Sequence, residues 1–432
     1  MLRRYVTICC AWTLLWAAVT IGVVLGDRSY AGAQGGDLTE IFNARDLTGW
    51  DGDTNLWSVR DGAIVGEVEA EHRQQNHSYL IWQGATVRDF ELRVTLRSSA
   101  GNSGIDYRAE QVHQGRDGQH LRWTIQGYQA DIAQGWMGSL YNWGKPGAQP
   151  SQFVVVQGQP EATTTVGSVV DKDILYGAGY YRPDQWNEFM VIARGSHILH
   201  RINDYPVVEF IDNSSGARAE GLLGLQVHSG RGPQNHQFKD ISIKRLTTNF
   251  GRAKCLFNGK DLTGWAFSGP EAKDAWTVEN GALLVKNDSQ AHIYTQANYA
   301  NYALRFQYRA SDKGTSGVAL RLRSTQEAQP TKGILIYGSG GDFHRIEPMG
   351  GFSLRVARLR VRPFRRMPDG FWNECEIVLN KGELHVTVNG VLRATAAGCE
   401  ESTGRIGLQV RSGRAQFRNI VLIPILDLLT KL

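Results

Sequence analysis

Ile41-Phe42-Asn43-Ala44-Arg45-Asp46-Leu47-Thr48-Gly49-Trp50 returns in the second half of the chain as Leu256-Phe257-Asn258-Gly259-Lys260-Asp261-Leu262-Thr263-Gly264-Trp265. Five further pairs follow in the same order. Trp57-Ser58-Val59-Arg60-Asp61-Gly62-Ala63 is answered by Trp276-Thr277-Val278-Glu279-Asn280-Gly281-Ala282, and Phe90-Glu91-Leu92-Arg93 by Tyr302-Ala303-Leu304-Arg305. Gln185-Trp186-Asn187-Glu188 is answered by Phe371-Trp372-Asn373-Glu374, and Gly224-Leu225-Gln226-Val227 by Gly407-Leu408-Gln409-Val410. The last pair is Phe238-Lys239-Asp240-Ile241 and Phe417-Arg418-Asn419-Ile420. The distance between copies far exceeds the roughly 20–50 residues of a solenoid unit, so a whole domain is duplicated. Positions at which the copies differ are the best guide to chemistry.

Both copies read as strands and turns. Phe90 to Arg97 alternates apolar and polar residues without a break, the period of a half-buried strand, and Tyr302 to Arg309 does the same. Glu383 to Val391 alternates into an Asn389-Gly390 turn, a strong hairpin signal, and His197 to Val208 carries Asn203-Asp204 at the matching place. Long stretches of helical spacing are missing, while 49 glycines against 12 prolines suit many tight turns. The expectation is an all-β chain of two β-sandwiches. The first runs over 37–246 and the second over 254–424, with a short polar link between them.

A chain of 432 residues can bury two cores. Its net charge of +5 is modest for that length and argues against a nucleic-acid partner. Arg3 and Arg4 precede an uncharged, largely apolar run from Tyr5 to Gly26, then Ala31-Gly32-Ala33. This is the pattern of a secretory signal over residues 1–33. The apolar run is also long enough to stay as an uncleaved membrane anchor. Either way the bulk of the protein is expected outside the cytoplasm, in the periplasm or the extracellular space. Cys255, Cys375 and Cys399 lie in the second copy in no zinc-like spacing. An oxidising compartment would permit one disulfide among them and leave one thiol over.

Phe257 to Trp265, Gly101-Asn102-Ser103-Gly104-Ile105 and Gly127-Tyr128-Gln129-Ala130-Asp131-Ile132 together resemble the 3-keto-disaccharide hydrolase family, formerly a domain of unknown function. Trp186-Asn187-Glu188, Gly224 to His228 and Phe238 to Ile241 complete the pattern. The resemblance is specific in the first copy and partial in the second. It implies tandem concanavalin A-like jelly rolls with a carbohydrate groove on one sheet, and cleavage of glycosidic bonds in sugars already oxidised at C3. A ketone at C3 acidifies the C2 proton, so a modest base suffices and the C1 substituent leaves by elimination. Water adding back makes the net result hydrolysis. The route needs a base poised near neutrality, a holder for the enolate oxygen and an acid near the leaving oxygen. A divalent metal could hold the enolate, although nothing in the sequence demands one.

Residue by residue, the candidates are as follows. Leu225 and Val227 should point into the sandwich, which sends Gln226 and His228 to the other surface. His228 could be the base, or a histidine at a loop edge; the second copy has Arg411 there. Gln129 and Asp131 share a face and could grip sugar hydroxyls, with Asp131 as an alternative base, or form a solvated pair at a turn edge. No counterpart aligns between Lys332 and Asp342. Asp106 and Tyr107 are lost from the second copy whereas Arg108 persists as Arg321. Arg108 suits an enolate oxygen, or a structural ion pair equally well. Glu67 is a groove candidate or a solvated strand end. Trp136, Tyr141 and Trp143 could stack on sugar rings or fill a core. Trp50, Trp57 and Trp186 recur in both copies and are assigned to the core.

An enzyme requires His228, Gln129, Asp131 and Arg108 to converge. The rival reading makes both copies carbohydrate-binding modules without catalysis. A cell-surface adaptor would instead expose a flat apolar patch.

Overall fold

The computed structural model describes residues 37–115, 119–143, 152–155, 168–169, 179–267, 270–286, 291–311, 313–323, 332–357, 367, 371–399 and 403–426. The N-terminal address and most of residues 144–178 lie outside them. Among the described residues no helix is long and apolar enough to cross a membrane.

The chain folds as two repeated β-sandwiches. In the first, a nine-stranded sheet holds Ala63–Val68, Phe90–Ala100, Asn187–Arg194, His197–Ile202, Tyr205–Ile211 and Gln234–Arg245 among its strands. A seven-stranded sheet holds Ser78–Trp82, Ser103–Gln111, Ile125–Ile132, Leu140–Asn142 and Leu222–Val227. Phe90–Ala100 and Ser103–Gln111 follow one another in sequence yet belong to opposite sheets, the crossing that a jelly roll needs. The second copy repeats this with a ten-stranded and a six-stranded sheet.

Alternation explains both cores. Phe90, Leu92, Val94 and Leu96 point inward to meet Ile105, Tyr128, Ala130, Leu225 and Val227 from the facing sheet. Leu304, Phe306, Val318, Ile336, Leu408 and Phe417 do so in the second copy. Each large side chain fully buried this way stabilises by roughly 1.5–3 kcal/mol.

The repeated opening motif is a self-bonded loop. Asn43 Oδ1 accepts from the Arg45 and Asp46 amides, Asn43 Nδ2 donates to Asp46 Oδ1 (2.7 Å), and Asp46 Oδ1 also accepts from the Thr48 amide. Asn258, Lys260, Asp261 and Thr263 make the same four bonds. The loop delivers Trp50 and Trp265 into their cores. The hairpins also follow the sequence: Asn203 and Asp204 have φ of +48° and +67°, Asn389 and Gly390 +49° and +74°. Positive φ at both central residues is the turn that matches strand twist.

Two expectations are corrected. Trp186 is only half-buried and lies outside the core, with Arg97 and Lys239 stacked on its ring at 4.8 and 4.6 Å. Trp372 repeats the arrangement with Arg309 and Arg418. All three described cysteines are free thiols; Cys375 and Cys399 are buried within the second core.

The two large sheets meet through a buried ionic cluster. Arg305 donates to Glu209 (2.9 Å), Glu376 (2.8 Å) and Glu374 (2.6 Å). Arg194 bonds Glu376 and Arg201 bonds Glu374 across the same junction. Burial alone would raise the Glu209 pKa; Arg305 and the His197 hydrogen bond override it and hold the group at about 2. An apolar patch of Ile211, Leu246, Phe250, Val378 and Ile423 flanks the cluster.

Candidate active site

On the seven-stranded sheet, the residues that alternate away from the core form a ruled surface. One cross-strand line runs Tyr79, Gln226, Gly104, Asp131, and the next runs Gly224, Asp106, Gln129, Tyr141. Gly104 is required here: a Cβ on it would stand 2.4 Å from Gln129 Nε2, so its hydrogen atom lets the amide lie over the backbone. Asp106, Gln226, Tyr79, Gln129 and Asp131 are all buried although they sit on an outward face.

Burial sets the chemistry of the two carboxyls. Gln129 Nε2 donates to Asp106 Oδ2 at 2.9 Å, while Asp106 Oδ1 has no partner among the described residues. Desolvation, assisted by the nearby Asp131 charge, pushes the Asp106 pKa well above the carboxylate range against the pull of Gln129 and Arg218. Desolvation likewise lifts Asp131 to about 7. Burial thus favours the protonated form of Asp106, which could donate through Oδ1, beside a carboxyl that ionises near neutrality. Gln226 Nε2 donates to the Tyr79 hydroxyl (2.9 Å), and its own Oε1 has no partner among the described residues.

At one end of these lines stand two histidines. The His77 and His228 rings meet edge-on at 4.4 Å, and Trp143 closes on His77 at 4.8 Å and on Tyr141 at 4.9 Å. His228 Nδ1 faces the Ser229 carbonyl, which can only accept, so its proton sits there and Nε2 keeps its lone pair. His77 Nδ1 accepts from the Ser229 amide at 3.1 Å. Burial lowers both pKa values, with His228 adding to the fall of His77 to about 4. Both rings are neutral at pH 7.

The structure places Asp131, Gln129, Gln226, Asp106 and Tyr141 on one sheet face, with His228 two residues beyond Gln226 against His77, and leaves Trp136 exposed in the turn that follows the Asp131 strand. Three candidates are placed elsewhere. Tyr107 alternates inward and meets His200 Nε2 at 2.7 Å in the core, since neighbours in a strand cannot share a face. Arg108 has φ of +48° at a bulge, which turns its side chain aside. Its guanidinium donates to the carbonyls of Arg88, Gly195 and Arg218 and to Asp89. It lines a cavity of about 440 Å³ with Asp212, Phe250 and Leu426, apart from Asp106 and Asp131, so the convergence of four side chains expected of an enzyme is not met as stated: Arg108 stands outside it. Glu67 belongs to the opposite sheet: Gly66 points inward against Trp57, so Glu67 faces outward and pairs with Arg60.

Sequence reasoning passed over Tyr79, His77 and Arg218. Tyr79 lies in Ser78-Tyr79-Leu80-Ile81-Trp82, whose continuous apolarity hides the alternation. Arg218 donates to Glu110 (3.0 Å) and the Trp143 carbonyl (2.9 Å), and its charge reaches Asp106. Only the fold brings it there. Among the described residues no group of three or more His, Cys, Asp or Glu is arranged to hold a metal ion.

No curated protein matches the chain. Among solved structures, two putative glycosyl hydrolases from Parabacteroides distasonis are similar. One has 22% identity over 40% of this chain and 94% of its own, with a TM-score of 0.33. The other has 19% identity over 49% and 100%, with a TM-score of 0.32. A Bacillus subtilis carbohydrate-binding module, CBM66, has 15% identity over 45% and 95%, with a TM-score of 0.30. The family described as 3-keto-alpha-glucoside-1,2-lyase-like domain matches residues 37–244 and again 252–423. The chain therefore belongs to the 3-keto-alpha-glucoside-1,2-lyase-like family, as two copies in tandem.

Proposed function

We propose that the first copy is an exported enzyme that cleaves 3-keto-glycosides by elimination across C1–C2, with hydrolysis as the net result when water adds back. Family membership supports a carbohydrate-active role. The observation that carries the finer reading is the meeting of Asp131, Asp106, Gln129, Gln226 and Tyr79 on one sheet face, next to a neutral His228.

Asp131, ionised near neutrality, takes the C2 proton. The C–H electron pair forms the C2–C3 double bond while the ketone π pair moves onto O3. Protonated Asp106, oriented by Gln129, donates through Oδ1 to that oxygen. The O3 pair then returns as Asp106 takes back its proton, C1–C2 becomes a double bond, and the C1–O bond breaks with its pair on the departing oxygen, which takes the proton that Asp131 holds. Tyr79 and Gln226 hold ring hydroxyls, and Nε2 of His228 accepts a proton from the water that adds at C1. Tyr141 and Trp143 offer faces to the sugar. The leader-like residues 1–33 support export, by cleavage or as an anchored form.

The test is incubation of the full chain with a 3-keto-glucoside and with its unoxidised parent. Only the oxidised sugar should release its aglycone, and Asp131→Asn should lower kcat by about 10²–10⁴-fold. Equal cleavage of the parent, or unchanged turnover in Asp131→Asn, would overturn the reading. His228→Ala should retain the elimination and accumulate the unsaturated keto-sugar.

A further inference from the structure

We propose that the outward face of the six-stranded sheet in the second copy is a binding site for an acidic saccharide, one bearing carboxylate or sulfate groups. The inference stands apart from the catalytic reading of the first copy. Strand Arg405–Ser412 sends Ile406, Leu408 and Val410 into the core and therefore Arg405, Gly407, Gln409 and Arg411 outward. Tyr294, Ala319, Leu322, Leu335 and Tyr337 form an apolar floor on the same face.

Cations stand on that floor. The Arg405 guanidinium lies 5.3 Å from the Tyr294 ring, and those of Arg411 and Arg345 lie 5.2 and 5.9 Å from the Tyr337 ring. Arg411 and Arg345 are exposed. Glu347 lies on this face too, but it accepts from the Tyr337 hydroxyl. Gln409 is 4% exposed and its Nε2 donor has no partner among the described residues, although it lies over Gly317 within the cluster. His292, beside Gln409 on the neighbouring strand, is held neutral by burial and by the Arg411 charge.

Such a face offers donors: three guanidinium forks and a buried amide. Guanidinium stacked on an aromatic ring keeps its edge free to bind a carboxylate or sulfate in a bidentate fashion. In the first copy, Leu222 and His228 occupy the places of Arg405 and Arg411, and ionised Asp131 would repel the same ligand. The two faces of one chain thus select saccharides of opposite character.

Native electrophoresis of the full chain in gels containing polygalacturonate, dextran sulfate or neutral dextran tests this. Retardation is expected in an acidic gel and absent in neutral dextran; retardation by only one acidic polymer names the carboxylate or the sulfate as the recognised group. The double variant R345Q/R411Q, with an unchanged melting curve, should bind about tenfold more weakly. The proposal falls if neither acidic polymer retards the chain, if neutral dextran does so equally, or if the double variant migrates like wild type. It falls as well if single-stranded DNA competes as effectively at equal charge.

Discussion

On the first copy's smaller sheet, Gly104 faces Asp131 and Asp106 faces Gln129; on the second's, Gly317 faces Tyr337 and Ala319 faces Leu335. The backbone ruling is the same, and the glutamine lying across it survives as Gln226 and Gln409. What changed is everything that ionises or donates between those fixed points. Inward residues are held by volume, because a lost methylene leaves a cavity. Outward residues on a sheet answer only to what binds there, so duplication could exchange one chemistry for another without touching the sandwich.

Making the first face resemble the second is the most severe way to probe that difference. The triple variant Asp106→Ala, Gln129→Leu, Asp131→Tyr should lower kcat on a 3-keto-glucoside by at least about 10²–10⁴-fold. Its melting temperature should stay level or rise, since buried polar groups are replaced by apolar ones. Turnover surviving in a folded triple variant would mean that the two faces do not differ in the way that matters.

The second copy is held at its back. Arg305 sits among Glu209, Glu374 and Glu376, all buried, so Arg305→Ala takes the arginine from Glu209 while Arg194 and Arg201 remain on Glu376 and Glu374, and should cost about 3–5 kcal/mol. Arg411→Gln, on the exposed face, should change stability by no more than about 0.5 kcal/mol. Denaturant unfolding of both variants measures the contrast. A small effect of Arg305→Ala would show that the junction is not what joins the copies.

Tyr337, the counterpart of Asp131, does not ionise near neutrality, and pH exposes this. Its folded pKa of about 7 lies above the ordinary 3.8, so folding favours the protonated form. That contribution is complete below about pH 4 and is lost as pH rises through about 7, by up to about 4 kcal/mol. Asp131→Asn should therefore melt above wild type at pH 8 and level with it at pH 4. The rate runs the other way: kcat/KM should climb as pH rises through about 7, because the base must first ionise. A rate falling over that interval would remove Asp131 as the base.

Much of this was legible in the order of residues. Alternation alone placed Leu225 and Val227 inside, Gln226 outside, and Gln129 with Asp131 on one face. The same rule also forbids Asp106 and Tyr107 from sharing a face, and Tyr107 indeed turns inward. Arg108 escaped the rule because a bulge at φ of +48° breaks the period there. Glu67 was misplaced because alternation assigns a face but not a sheet. Net charge averaged away the arginines that gather as Arg345, Arg405 and Arg411. The register supplied the counterparts of Gln129 and Asp131, namely Leu335 and Tyr337, which no sequence identity marks.

The smallest effect comes from where the copies agree. Asn43 and Asn258 make the same bonds in their loops, with donor–acceptor distances of 2.7 and 2.8 Å to Asp46 and Asp261. Both side chains lie in exposed turns, so each substitution removes local loop order and no core contact. Asn43→Ala and Asn258→Ala should each lower the melting temperature by about 2–4 °C, and by the same amount. Activity should fall with neither, because the loop delivers a core tryptophan and touches no groove residue. A clear inequality would mean that the loops, identical in bonding, carry different loads, and that the copies diverged in their scaffolding as well as on their faces.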